Sequence, residues 1–335
     1  MSKIARFSLV VAALTFGSLC ATSAFSQHTR KVWTVGILWH AANLEEEMVM
    51  FRPFSEGMRE LGYVEGRNVV YHHTFVDENY DRFQARSREL VNRKVDVILA
   101  SVPAAASAAR GVTTTIPIVF AASGDPVKGG LVESLRRPGG SLTGLSLFYP
   151  ELTAKHLEIL RELVPSLSRV AILSNPNNDD AAVAQAEAER AAAQLKLHVV
   201  VAKAKSPQEF PATFDAISAA KVDGMIVLGD AMLRLNRKPI VDFAAASRLP
   251  TVYAPRDFVE SGGLIAYGVS IPNNFRRSAT FIDKILKGAK PSDLPVEQPT
   301  RLSLIINLKA AKALNLTIPP SLVTRGRRGA RIATG

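Results

Sequence analysis

The feature that most constrains how this chain folds is an internal duplication. Lys94-Val95-Asp96 leads into Val97-Ile98-Leu99, as Lys221-Val222-Asp223 leads into Gly224-Met225-Ile226-Val227-Leu228. In the same order, Ile116-Pro117-Ile118-Val119-Phe120-Ala121 is matched by Leu249-Pro250-Thr251-Val252-Tyr253-Ala254. Asp125-Pro126-Val127 with Gly129-Gly130-Leu131 is then matched by Asp257-Phe258-Val259 with Gly262-Gly263-Leu264. Each half opens on an apolar strand, at Val32 or Val170. Any one buried strand resembles another, but matches that keep their order along the chain imply two lobes of one design.

Short β-rich apolar runs alternate with helical patterns, the signature of βαβ units and of parallel sheets covered on both faces. Strands are expected at Val32 to Trp39, Asn68 to Phe75, Val95 to Ala100, Ile116 to Ala121 and Leu142 to Leu145. In the second half they are expected at Arg169 to Ser174, His198 to Ala202, Gly224 to Leu228, Thr251 to Tyr253 and Leu264 to Tyr267. Phe54, Met58 and Leu61 recur at helical spacing, as do Leu157, Leu160 and Val164, and Phe275, Ala279, Ile282 and Leu286, so each set predicts one buried helix face. The fold class is therefore α/β, with two similar doubly wound parallel-sheet lobes joined by a hinge. The break falls near Leu147 to Glu151, a second crossing near Val269 to Asn274 and a third near Pro291 to Pro299, where prolines disfavour regular structure. Residues 30–146 with about 272–296 then make the first lobe, and 147–271 with about 297–325 the second.

The first 26 residues read as a cleavable signal peptide: Lys3 and Arg6 precede an apolar run from Phe7 to Leu19, followed by small residues at Ala21, Ser23, Ala24 and Ser26. The run is too short to span a bilayer, and no later segment is apolar enough to do so. A periplasmic location is expected. Cys20 is the only cysteine, and Leu19 before it argues against a lipid anchor. The mature chain then has no disulfide, thiol nucleophile or thiolate metal site. The net charge of +11 is concentrated at the ends, in Lys3 and Arg6 and in a basic tail over 326–335 that holds Arg327, Arg328 and Arg331, with Arg325 just before it. The rest is a dispersed surface charge, and no nucleic-acid partner is implied.

In open parallel sheets, ligands bind beyond the carboxyl ends of the strands, so two facing lobes place six loops around one cleft. These are Trp39 to Asn43, Ser101 to Ala104 and Ala122 to Asp125, then Asn175 to Asn178, Gly229 to Met232 and Ala254 to Glu260. The candidate ligand-binding residues among them are Trp39, His40, Ser101, Val102, Ala104, Asp125, Asn175, Asp230 and Tyr253. Ser101 can cap a helix that starts at Pro103, which leaves free N–H groups at a positive helix end able to hold a carboxylate; an ordinary cap without a ligand fits equally well. Asp125 and Asp230 are either helix caps or acceptors for a ligand ammonium. Asp257 and Glu260, further along their loop, are expected in solvent. Trp39 and Tyr253 offer stacking surfaces, although aromatics at strand ends usually belong to the core.

Catalytic readings find little support. The chain has no glycine-rich dinucleotide or phosphate loop after a strand and no G-x-S-x-G elbow. His72 and His73 are adjacent on a strand and point to opposite faces, and His40 has no partner at ligand spacing, so no metal site and no cofactor are expected.

Several stretches together resemble the substrate-binding proteins of ABC transporters with a type I periplasmic-binding fold, in the branch that includes tryptophan- and tyrosine-binding members. They are Glu60-Leu61-Gly62-Tyr63-Val64-Glu65-Gly66-Arg67-Asn68, Gly124-Asp125-Pro126-Val127, Arg137-Pro138-Gly139-Gly140-Ser141-Leu142-Thr143-Gly144, Phe258-Val259-Glu260-Ser261-Gly262-Gly263-Leu264 and Leu294-Pro295-Val296-Glu297-Gln298-Pro299. The resemblance implies a non-catalytic, monomeric binder that closes on a small ligand, such as an aromatic or branched amino acid, and delivers it to a membrane permease driven by an ATPase. Two departures stand out. Val102 replaces the threonine usual in the loop after the third strand, and Gly326-Arg327-Arg328 replaces an acidic ending. A ligand-sensing protein that reports to a membrane receptor is the nearest rival. A two-domain transferase is a more distant one, since it would be expected to carry a nucleotide-phosphate loop.

Overall fold

The computed structural model describes residues 31–147, 149–178, 180–299 and 302–327. The expected signal peptide and residues 328–335 of the basic tail lie outside them. The first half builds a five-stranded parallel sheet in the order β2-β1-β3-β4-β5, from β1 (Trp33–Trp39), β2 (Val69–Phe75), β3 (Val97–Ala100), β4 (Ile118–Ser123) and β5 (Leu142–Ser146). Its crossovers run through α1 (Leu44–Glu60), α2 (Phe83–Asn92) and α3 (Pro103–Val112). The second half, after α4 (Tyr149–Leu163), builds β6 (Arg169–Ser174), β7 (His198–Lys203), β8 (Gly224–Val227), β9 (Thr251–Tyr253) and β10 (Ile265–Gly268). The helices between these strands are α5 (Ala181–Gln194), α6 (Phe210–Ala219), α7 (Ala231–Leu235), α8 (Arg237–Ala246) and the short α9 (Asp257–Glu260).

Read from β7, the second sheet runs β7-β6-β8-β9-β10, the same winding as the first. It departs from a wholly parallel sheet at its far edge, where β11 (Ser303–Ile306) pairs antiparallel with β10. That strand lies in a stretch where the sequence analysis placed none.

The duplicated Lys-Val-Asp motif has a physical cause. Lys94 and Lys221 exit α2 and α6 at φ of 54° and 49°, the left-handed turn that ends a helix. The aspartate two residues on then clamps the start of the lobe's first strand. Asp96 Oδ2 accepts from the Thr34 backbone N–H and hydroxyl, each at 2.8 Å, and Asp223 Oδ2 accepts from the N–H groups of Ser168 and Arg169, each at 2.8 Å.

After β10 the chain returns to the first sheet as α10 (Ile271–Leu286). Ser270 caps this helix at the Asn273 N–H, and its face of Phe275, Ala279, Ile282 and Leu286 joins Phe54 and Met58 of α1 in one core. Leu61, expected on that buried face, is instead the α1 C-cap and 38% exposed, because the helix ends one residue earlier. The chain then runs beside β5: the Ser146 N–H donates to the Glu297 carbonyl at 2.9 Å and the Glu297 N–H to the Gly144 carbonyl at 3.0 Å. Arg277 holds the Glu297 carboxylate through two bonds of 2.7 and 2.8 Å. Beyond β11, α11 (Leu308–Ala313) and α12 (Pro320–Arg327) cover the second sheet, with Ala311 and Leu322 in its core.

Candidate functional site

The carboxyl ends of the strands in both sheets face one cavity of about 630 Å³ of empty space, part of it open to solvent. The first sheet contributes Ser101, Val102, Pro103 and Ala104 after β3, and the second contributes Gly229, Asp230 and Ala231 after β8. Met50, Ile271 and Phe275 supply apolar wall from α1 and α10. The Phe275 ring stacks at 5.6 Å on Trp39, so the wall is backed by the first lobe's aromatic core.

The floor beside β3 is a helix start. Pro103 occupies the first turn of α3, and Val102 is its N-cap with no side-chain cap bond. A valine cannot accept from the early N–H groups, which are left for other acceptors at a positive helix end. Ser101, 6% exposed, presents a hydroxyl oxygen with no hydrogen-bond partner at this wall of the cavity. A buried hydroxyl beside free helical N–H groups suits an anionic oxygen pair.

Polar contacts cross the cleft. Asp180 at the head of α5 accepts from the Gly124 N–H at 2.5 Å and the Asp125 N–H at 3.3 Å. Asn236 donates to Glu78 at 2.9 and 3.2 Å, and Lys128 lies 3.6 Å from Glu187. Arg234 of α7 lies 3.6 Å from Glu47 of α1 and 3.4 Å from Asp257 of its own half, with all three buried. The two halves are thus drawn together around the cavity.

Of the residues singled out from sequence, Ser101, Val102, Ala104 and Asp230 line the cavity. Asp230 is the α7 N-cap, accepting from the Leu233 N–H at 2.9 Å, and Asn175 donates to both its oxygens at 3.3 Å. Burial raises the Asp230 carboxyl above its ordinary range. Asn175, 1% exposed, therefore acts through Asp230 rather than on the cavity. Asp125 does not line it either; its carboxylate closes a turn on the N–H groups of Val127 and Lys128. Trp39 and Tyr253 are fully buried in the core, where Trp39 donates to His73 at 2.9 Å and Tyr253 stacks on Phe258 at 4.6 Å. His40 lies behind the cavity, its ring 5.2 Å from that of Tyr80, with neither ring nitrogen bonded.

Two expectations are corrected. Ser101 does not cap α3, because Pro103 in the first turn shifts the cap to Val102. Asp257 is not in solvent: it is 8% exposed, starts α9 and meets Arg234. Glu47, Tyr80, Asp180 and Arg234 escaped sequence reasoning, and Phe275 was read there only as part of a buried helix face. They sit about one turn inside helices, or in caps and loops that the strand-end rule does not reach. The helical spacing of Glu47 with Met50 and Phe54 was the available signal for one of them.

Three histidines are held neutral. Burial and then the Arg234 charge lower His40 to about 3, burial lowers His156 to about 4, and burial followed by the His72 charge lowers His73 to about 4. Unfolded histidine binds a proton near pH 6.5, so below that value the unfolded chain takes up protons that the fold refuses, and stability must fall. For the fully buried His40 and His156 the slope is about 1.4 kcal/mol per pH unit each, between about 6.5 and about 4. Urea midpoints at pH 7.5, 6.0 and 5.0 should fall steeply across the last two; a flat profile would count against neutral burial.

The family model described as ABC transporter substrate binding protein matches residues 46–328. A tyrosine-binding protein of Clostridioides difficile (strain R20291) is 26% identical over 264 residues, covering 78% of this chain and 75% of that protein. Among solved structures, an ABC domain from Streptococcus pneumoniae in complex with L-Trp is 25% identical, with a TM-score of 0.81 over 88% of this chain and 98% of that one. The ligand-free, open structure of a substrate binding protein with adhesive properties from Clostridium difficile is 24% identical, with a TM-score of 0.64 over 86% of this chain and 97% of that one. The architecture also matches type I periplasmic binding proteins at lower identity. The chain belongs to the ABC transporter substrate binding proteins, a family of non-catalytic ligand binders.

Proposed function

We propose that this protein captures an aromatic or branched amino acid outside the cytoplasm and hands it to a membrane permease. The ligand carboxylate sits on the α3 N-terminus and the Ser101 hydroxyl, and its side chain lies against Met50, Ile271 and Phe275. The supporting observation is the unpartnered Ser101 hydroxyl at an uncapped helix start on the cavity wall. The tyrosine-binding relative and the tryptophan complex support the ligand class. Residues 1–26 act as the export signal, and the mature chain works as a monomer. The lobes divide where the chain crosses between sheets, near 147–151, 269–274 and 291–299, and these three crossings form the hinge. A backbone N–H cluster does not need the missing threonine hydroxyl to hold a carboxylate, so Val102 leaves this mode intact.

Isothermal titration against an amino-acid panel tests this reading. A tryptophan, tyrosine or branched member should bind at micromolar concentration or tighter, and Ser101→Ala should weaken it about tenfold, the loss of one charge-assisted bond of about 1.4 kcal/mol. Binding of a sugar or nucleoside with no amino acid bound would overturn the ligand class.

A further inference from the structure

Arg234 is the one arginine lining the cavity among the described residues, and it is shared. Its guanidinium lies 3.4 Å from Asp257, which belongs to the same half of the molecule, and 3.6 Å from Glu47, which reaches it from α1 across the cleft. Both separations exceed the roughly 2.8 Å of a committed charge-assisted bond. Arg234 is 5% exposed, Glu47 2% and Asp257 8%, so the contest between the two carboxylates takes place away from bulk water, where charge interactions are strong. Apart from Arg234, Glu47 is held by backbone N–H groups, Ala41 at 3.3 Å and His40 beside it, and burial raises its carboxyl. Separating the halves would return Arg234 wholly to Asp257, whereas bringing them together divides it between the two.

We propose that Glu47, Arg234 and Asp257 form a shared-guanidinium switch that positions the two lobes for ligand capture: Glu47 draws Arg234 across the cleft and favours closure, and Asp257 competes for it and favours opening. The inference rests on the cleft-closing reading above, but not on the identity of the ligand. Its signature is a pair of opposite effects from two carboxylate neutralisations on one arginine. Neutralising Glu47 removes the attraction across the cleft. Neutralising Asp257 frees Arg234 for Glu47. A merely structural ion pair would weaken the fold in both variants and move the lobes in neither.

Spin labels on one exposed cysteine introduced into α2 and one into α8, with Cys20 replaced by serine, report the inter-lobe distance by double electron–electron resonance in the purified protein without added ligand. Glu47→Gln should reduce the short-distance population at least fivefold, and Asp257→Asn should raise it at least twofold. Thermal unfolding confirms that both variants fold. Shifts in the same direction, or no shift in either variant, would overturn the switch. The result is read without ligand, so failure of the amino-acid panel leaves it decided, and failure of the switch leaves the panel result standing.

Discussion

Replacing Gly144 with alanine should destabilise this protein more than almost any other single substitution in it. Gly144 sits in the middle of β5 at φ +155°, and a Cβ there would lie 2.1 Å from the Phe120 carbonyl oxygen and 2.8 Å from ring carbons of the same residue. Neither neighbour can yield. The carbonyl belongs to β4, and β5 is held on its other side where the Gly144 carbonyl accepts from the Glu297 N–H. Relief requires the edge of the first sheet to separate, which also disturbs the run that carries the chain toward β11. A cost above about 4 kcal/mol follows, among the largest that single substitutions produce. A melting midpoint within about 3 °C of wild type would show that the close approach is not tight.

Gly124→Val should abolish high-affinity binding while leaving the fold in place. Gly124 lies just past β4 at the cleft, and a Cβ there would come within 2.8 Å of both Cγ and Oδ2 of Asp180 and 3.1 Å of its Cβ. The contact spans the two halves, so the added bulk acts as a wedge on closure and not as a core defect. Its backbone N–H donates to Asp180, and that bond would be lost when the wedge opens the cleft. Affinity should fall by about a hundredfold, roughly 2.8 kcal/mol, with the unfolding midpoint nearly unchanged. Equal binding by titration calorimetry would mean that the Gly124 to Asp180 contact plays no part in closure.

The architecture was legible because parallel sheets leave strong marks: buried β-branched runs at regular spacing, and a duplicated Lys-Val-Asp whose aspartates clamp the first strands at Thr34 and at Ser168 and Arg169. The strand-end rule also brought Ser101 to Ala104 and Asp230 to the cavity. It misplaced the aromatics, since Trp39 and Tyr253 turn inward to stack on Phe275 and Phe258. Charged residues on helices were less legible still. Glu45, Glu46 and Glu47 are consecutive, yet only Glu47 is buried, because the docking angle of α1 decides which of three acids faces the cleft. The antiparallel β11 was hidden for a related reason: Ser303–Ile306 is a short apolar run after a proline-rich stretch, and its pairing with β10 is fixed by tertiary contact alone.

The central claim is that a carboxylate-bearing ligand binds between the lobes on the α3 helix start. A crystal structure with the tightest-binding amino acid of the panel tests it most directly. The account predicts a ligand carboxylate within about 3.2 Å of the Ser101 hydroxyl and of backbone N–H groups at the start of α3, with its side chain against Phe275. A carboxylate held instead by Arg234, or a ligand bound outside the cleft, would contradict it.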